Sequence, residues 1–500
     1  DRQERMQALR DNDQEKFIGA YVKAPIVGKY EWIYDLDLTS LYPSIIMTIN
    51  ISPETKIGKV KDWDVQKYLK GEVDTYYIGD DAISKENLKE YLEKSKFSIA
   101  SNGVLYRTDT VGCIPGVLDL WFKQRVEFRK LEKKYGQEGD KEKYAFYGKR
   151  QLVQKILLNS LYGVLGLPAF RFYDVDNAEA VTTTGQTVIK STADMANLKY
   201  NKELGTPDLD SNIYIDTDSV FFSAVPLMDK RTPNWREETQ DTIAGYVDGI
   251  AGEVQDYLNN FYDILSEKIF NVDRTQHRLE IKKEYVAKAG LWVAKKRYAQ
   301  WIIMNNGIPT DKLDVKGLDV KRSSFPKAFQ ECMGTVLIDI LRGKTEEELT
   351  AFVLDFKKNM TSRPISEIAK NSAVKNLSKY MPKGKRQLFT TMKGTPAHVK
   401  AAIAYNDCLI HFNAPYKYNP MTNGDKVKWV YLKNNPLGLD GLAFTGYSDP
   451  PEIEQFINTY IDHNKIFERE LRYKLQDFYD AIGWGEMISE QKTAEKFFSF

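Results

Sequence analysis

The first clear pattern along the 500-residue chain has a period of two. Asp35, Asp37 and Thr39 alternate with Leu36 and Leu38, so the segment 30–51 is expected to begin as a strand, turn through Pro43, and continue as an apolar segment. Residues 116–136 and 141–163 carry helical periodicity on either side of Gly136-Gln137-Glu138-Gly139-Asp140, which predicts a long helical hairpin. Residues 212–223 read as strand, turn and strand, with Thr206-Pro207-Asp208 as a surface loop before them. From about 325 helical patterns dominate, interrupted by Pro382-Lys383-Gly384-Lys385-Arg386 and Lys393-Gly394-Thr395-Pro396. Residues 425–445 look β-rich, and the last dozen residues, after Trp484-Gly485, read as a tail. There is no internal repeat and no low-complexity run. The order predicts a mixed α/β (α+β) protein whose sheet region is interrupted by a helical insertion.

Composition narrows the chemistry. No stretch approaches the roughly 20 apolar residues of a membrane span, and the charged start Asp1-Arg2-Gln3-Glu4-Arg5 argues against a signal peptide. The absence of Met at position 1 suggests a fragment or a processed chain. Cys113, Cys332 and Cys408 are too far apart for a four-Cys zinc site and suit a reducing compartment. With His277, His398, His411 and His463 equally scattered, a metal site has to be built from carboxylates, which favours magnesium or manganese. The net charge of +1 gives no hint of nucleic acid. Its distribution does: residues 281–330 hold eleven Lys or Arg against four Asp or Glu, a basic stretch suited to phosphate.

Four strings carry candidate chemistry. In Asp37-Leu38-Thr39-Ser40-Leu41-Tyr42-Pro43-Ser44-Ile45-Ile46, an aspartate at a strand end is followed by a turn. Such a turn offers an oxygen ligand and several backbone N–H groups, which a metal-bound triphosphate needs. An Asp beside a turn is, alone, more often a structural cap. In Tyr214-Ile215-Asp216-Thr217-Asp218-Ser219, two acids one residue apart either share a proton or bind a cation, although a hairpin with solvated acids is the commoner meaning of D-x-D. Asp37 and Asp218 on adjacent strands could hold two metals. In Lys155-Ile156-Leu157-Leu158-Asn159-Ser160-Leu161-Tyr162-Gly163, residues Lys155, Asn159 and Tyr162 share one helix face. Arg125 and Arg129 share a face of the other helix, so the hairpin can present three cations to one polyphosphate. Lys295-Lys296-Arg297-Tyr298, preceded by Trp292, suits a phosphate backbone with an aromatic against a base or sugar; a basic run of four is common by itself.

In this order the strings resemble motifs A, B and C and the primer-contact KKRY motif of family B DNA polymerases. Asn50-Ile51-Ser52-Pro53-Glu54-Thr55 and Gly317-Leu318, Ser323-Ser324 and Pro326-Lys327 resemble the replicative polymerases of T-even-type tailed phages in particular. The resemblance runs from Gly19-Ala20-Tyr21-Val22 to the tail. It implies a right hand: palm over 1–113 and 168–320, fingers over 114–167, thumb over 321–488 and a clamp-binding tail over 489–500. It implies template-directed DNA synthesis from dNTPs on a primer-template, with two Mg2+ ions for which Mn2+ can substitute. Asp37 and Asp218, with the Leu38 carbonyl, are the implied metal ligands, and Asp216 a supporting carboxylate. Either Glu280 or Glu284 is the further acid. Ser40 and Leu41 are expected to bind the triphosphate through N–H groups, and Tyr42 to exclude a 2′-hydroxyl. Arg125, Arg129, Lys155 and Asn159 are expected to hold the triphosphate, Tyr162 and Gly163 to line the nascent base pair, and Lys295, Lys296, Arg297 and Tyr298 to grip the primer. Gln491, Phe497 and Phe498 resemble a sliding-clamp-binding peptide, with Ala494 in place of a larger aliphatic.

About 35 residues precede Asp37, with no D-x-E exonuclease string. The expectation is a chain without its own 3′→5′ exonuclease, from a split gene with the nuclease on another chain or cut from a longer one. The implied setting is the cytoplasm of a phage-infected bacterium, with no membrane partner. Two rival readings remain beside it: an inactive polymerase-fold subunit, against which intact Asp37, Asp218 and Lys155 argue, and a protein-primed enzyme, against which the short spacing from motif A to motif B argues.

Overall fold

The computed structural model describes residues 18–382, 387–414 and 417–487. It is a mixed α/β protein. Its main sheet has six strands in the order β11-β10-β9-β1-β8-β7: β1 Gly28–Leu38, β7 Asn212–Asp216, β8 Ser219–Ser223, β9 Ile281–Ala294, β10 Arg297–Asn305 and β11 Ile308–Lys316. Three smaller sheets comprise β2 Lys56–Lys59, β5 Phe97–Ile99 and β6 Val104–Arg107; β3 Thr75–Ile78 and β4 Asp81–Ser84; and β12 Lys370–Ala373, β13 Lys426–Tyr431 and β14 Gly441–Phe444. The helices that matter below are α1 Leu41–Ile49, α2 Cys113–Gln137, α3 Lys141–Leu165, α4 Val175–Leu204, α5 Gln240–Ile269 and α6 Tyr473–Ala481.

Contacts divide the chain into two compact units. Among the described residues, the first holds 18–26, 31–288 and 303–310, and the second holds 27–30, 289–302 and those from 311 to 487. In the first unit, the expected strand forms and buries Ile33, Tyr34, Leu36 and Leu38. The expected turn lies at Thr39-Ser40 instead of Pro43, which sits inside the first turn of α1. Proline is tolerated there because the N–H it lacks has no partner within the helix.

The helical hairpin is longer than its periodicity suggested, at 25 residues in each arm. Asp140 caps the second arm by accepting from the Lys143 N–H at 3.0 Å. Asn50-Ile51-Ser52-Pro53-Glu54-Thr55 anchors the first arm. Asn50 Oδ1 accepts from the Gly112 N–H at 2.8 Å and Glu54 from the Cys113 N–H at 2.5 Å. A side chain at Gly112 would collide with Ser52, so only glycine lets the two segments close up.

The 30-residue helices α4 and α5 were not foreseen. Two hydroxyl pairs lie in their buried faces, as interior polar groups favour: Tyr34 with Tyr200 at 2.9 Å and Thr192 with Tyr262 at 2.7 Å. The second unit has a core of its own, from Phe325 and Phe329 through Tyr405 and Trp429 to Phe478 and Tyr479. The expected β-rich stretch at 425–445 is β13 and β14, and β12 joins them unforeseen. No helix among the described residues is long and apolar enough to cross a membrane.

Candidate active site

Strand register brings the two principal acids together. β1 pairs antiparallel with β8, setting Asp37 opposite Ser219, and the Leu38 N–H donates to the Asp218 carbonyl at 2.9 Å. The β7–β8 turn is tight: the Asp218 N–H reaches the Asp216 carbonyl at 2.7 Å, across Thr217 at φ +65. A β-branched residue there is an outlier, and such strain concentrates where side chains have to be aimed. Burial and the charges of Asp218 and Glu284 push the Asp37 carboxyl up to about 8, while the Lys155 ammonium pulls it the other way. Asp218 and Glu284 thus bear on Asp37, and Lys155 of the helical hairpin acts on it as a cation.

The two further acids differ in position. Glu284 bears on Asp37, whereas Glu280 is exposed and paired with Lys282 at 2.9 Å. One acid was missed: Asp35, two residues before Asp37 on the same face of β1, is 3% exposed and its Oδ1 has no hydrogen-bond partner. Burial, then Asp37, Glu284 and Asp218, hold its carboxyl far above the usual range. Its signal was the Asp35-Leu36-Asp37 alternation itself. No group of three or more His, Cys, Asp or Glu among the described residues is arranged to hold a metal.

Beside the acids, Ser40 adopts a left-handed conformation (φ 48, ψ 55) and α1 starts without a side-chain cap. Open N–H groups at a helix start form an anion-binding end. Arg125, partly buried, donates to Ser40 Oγ at 3.2 Å, and burial followed by the charge of Arg129 lowers its pKa. Arg129, Lys155 and Asn159 are exposed on the same hairpin. Tyr42 packs against Tyr162 with ring centroids 4.3 Å apart, and a methyl group at Gly185 of α4 would come within 3.0 Å of the Tyr42 ring. Tyr42 is therefore wedged between the hairpin and α4. Gly163 faces open space.

In the second unit, Lys295 and Lys296 form the turn between β9 and β10, with Lys296 at φ +63. Tyr298 is buried and stacks on Trp292 at 5.7 Å, and Arg297 pairs with Asp477 at 2.7 Å. Gln491, Ala494, Phe497 and Phe498 lie outside the described residues.

The family model described as DNA polymerase family B matches residues 4–236 and 255–471. The DNA-directed DNA polymerase of Enterobacteria phage T4 is 26% identical over 97% of this chain and 57% of its own length, and that of Escherichia phage RB69 is 26% identical over 94% and 56%. The DNA polymerase of Thermococcus gorgonarius is 27% identical over 70% of the chain and 35% of its own length. The chain spans about half the length of the phage relatives and a smaller share of the archaeal one.

Proposed function

We infer that this chain, which belongs to DNA polymerase family B, joins deoxynucleotides to a primer 3′ end under the direction of a template, as part of DNA replication. One observation carries the reading: the β1–β8 register sets Asp37 beside the Asp216-Thr217-Asp218 turn, within electrostatic reach of Lys155.

The oxygen chemistry of these groups suits magnesium, and two ions are the number we propose. Burial, and after it the repulsion of Asp218 and Glu284, raises Asp37 to about 8, so ionised carboxylates here call for cationic charge, and hard oxygen donors select Mg2+ or Mn2+. Asp37, Asp218 and the Leu38 carbonyl would hold the ions, with Asp216 and Glu284 supporting. When bound, such ions activate a hydroxyl and stabilise charge on a transferring phosphate.

The chain's own groups supply positioning. The open N–H groups at Ser40 and Leu41 receive phosphate oxygens, and Arg125, Arg129, Lys155 and Asn159 close over the triphosphate from the hairpin. Tyr42, held by Tyr162 and Gly185, lies under the sugar and leaves no room for a 2′-hydroxyl. Tyr162 and Gly163 line the nascent base pair, and the Lys295–Tyr298 turn holds the primer. On this reading 114–167 are the fingers, the main sheet with α4 and α5 the palm, and the region from 321 the thumb.

Primer extension on a primed template, with magnesium and one dNTP at a time, tests the proposal. Incorporation of only the complementary nucleotide is expected; none, or incorporation that ignores the template base, overturns it.

A further inference from the structure

We propose that Asp477 is a positioning residue for the primer-holding turn, and that Arg297 anchors that turn to the last described helix and leaves the DNA contacts to Lys295 and Lys296. The proposal rests on the reading above that the Lys295–Tyr298 segment meets the primer.

The turn is fixed within its own unit from three sides. On one side, the Arg297 guanidinium donates to Asp477 Oδ2 at 2.7 Å, with both side chains about a third exposed or less, at 34% and 28%. From beneath, the chain at the end of β11 passes so close that a Cβ built on Gly317 would run into the Lys296 carbonyl. Gly317 itself sits at φ +63, where other residues are strained. Across the hairpin, Tyr298 stacks on fully buried Trp292 with the ring planes 11° apart.

The same helix grips the second of these elements too. Lys474, three residues before Asp477 and so on the same face of α6, donates to Asp319 Oδ2 at 2.5 Å, and Asp319 is 7% exposed. One face of α6 thus holds both the turn, through Arg297, and the segment that supports it from below, through Asp319. A guanidinium committed to a carboxylate adds little net attraction for a phosphate. Lys295 and Lys296 are exposed, whereas Arg297 is half-buried.

The two roles available to Arg297 predict opposite signs. If Asp477 anchors the turn through Arg297, Asp477→Ala in the full chain loosens the lysines and weakens primer-template binding by about five- to tenfold, with the KM for dNTP unchanged. If Arg297 is a phosphate contact restrained by Asp477, the same substitution frees a cation and tightens binding. Fluorescence anisotropy with a labelled primer-template reads the difference, and tightened or unchanged binding overturns the proposal. Exchanging the pair (Arg297→Asp with Asp477→Arg) settles the case if Asp477→Ala lowers thermal stability. Recovery to within about threefold of wild type supports an anchor, and binding as weak as Arg297→Asp alone refutes it, because an aspartate cannot replace a phosphate contact. Lys296→Ala separates this from the underlying reading. It is expected to weaken DNA binding and lower the salt slope by about one. Unmoved binding in Lys296→Ala overturns the primer-holding role itself, and the anchor with it, whereas failure at Asp477 alone removes only the anchor.

Discussion

Replacing Asp37 with asparagine is expected to destroy nucleotide incorporation while making the metal-free protein more stable, a pairing of effects that few other substitutions produce. Asp37 is pushed up to about 8 by burial and by Asp218 and Glu284, so the folded state disfavours its ionised form. An unfolded aspartate ionises near pH 4. A raised folded pKa means that the contribution of this group to stability is fully present below about pH 4 and is lost progressively as the pH climbs to about 8. Those roughly four pH units, at about 1.4 kcal/mol each, cap the loss near 6 kcal/mol. Asp218 and Glu284 share the same repulsion and remain in the mutant, so a realised gain of about 1–3 kcal/mol at pH 8 is the reasonable expectation. That corresponds to several degrees in Tm for a unit of this size.

Asp37→Asn in chelator-containing buffer should therefore melt higher than wild type at pH 8 and close to it at pH 5. Magnesium should raise the wild-type Tm more at pH 8 than at pH 6, since a cation binds the ionised form, and should do little for the mutant. Single-turnover incorporation should fall by a hundredfold or more, the usual result of removing charge stabilisation at a reacting phosphate. A mutant that keeps more than about a tenth of the rate, or that melts lower than wild type at pH 8, refutes the assignment of Asp37 to a crowded cation site.

Tyr42→Ala is expected to admit ribonucleotides, read as a fall in the kcat/KM ratio for dCTP over CTP of at least about tenfold, since it removes a clash and adds no attraction; an unchanged ratio moves the gate elsewhere. Gly185→Ala should disturb the same ratio with normal DNA binding, because its methyl group presses on the Tyr42 ring. Lys155→Ala is expected to raise the KM for dNTP and slow incorporation with little change in primer-template affinity, and an equal loss of DNA affinity would undo the division of labour between the hairpin and the Lys295–Tyr298 turn. Deleting 491–500 should leave synthesis on short templates intact and abolish stimulation by the cognate sliding clamp; an equal fall in clamp-free activity would make those residues part of the fold.

What the sequence made legible was local. The alternation ending at Asp37, the Asp216-Thr217-Asp218 turn and the helical hairpin each declare themselves within a dozen or two residues, and each forms. The helices α4 and α5 escaped notice although their caps were present: Asp174 and Gly205 bracket one, and Thr239 opens the other. The buried face of α4 relies heavily on Ala, Thr, Val and Gly, whose contrast with neighbouring polar residues is too weak to mark a period of 3.6, whereas Ile243, Val247, Ile250, Val254 and Leu258 of α5 do stand at helical spacing and were a readable signal. Pro43 misled for a related reason. Its turn preference is strong, but the first turn of a helix satisfies the same constraint.

The long-range features could not have been read at all. Glu280 and Glu284 are equally plausible as text, since both lie near the motif. Only the course of β9 beside β1, tied by the Thr39 N–H to the Glu280 carbonyl at 2.8 Å, leaves the Glu280 side chain with Lys282 and puts Glu284 within reach of Asp37. The pairing of Arg297 with Asp477 spans 180 residues, with no local pattern to announce it, and it alters the meaning of a motif that was itself legible. Four residues that read as one basic-aromatic contact surface become, once folded, two exposed lysines, an arginine tied to an aspartate and a buried tyrosine stacked on tryptophan. A motif thus identifies where chemistry is placed, while the division of roles within it depends on partners that only the fold brings into contact.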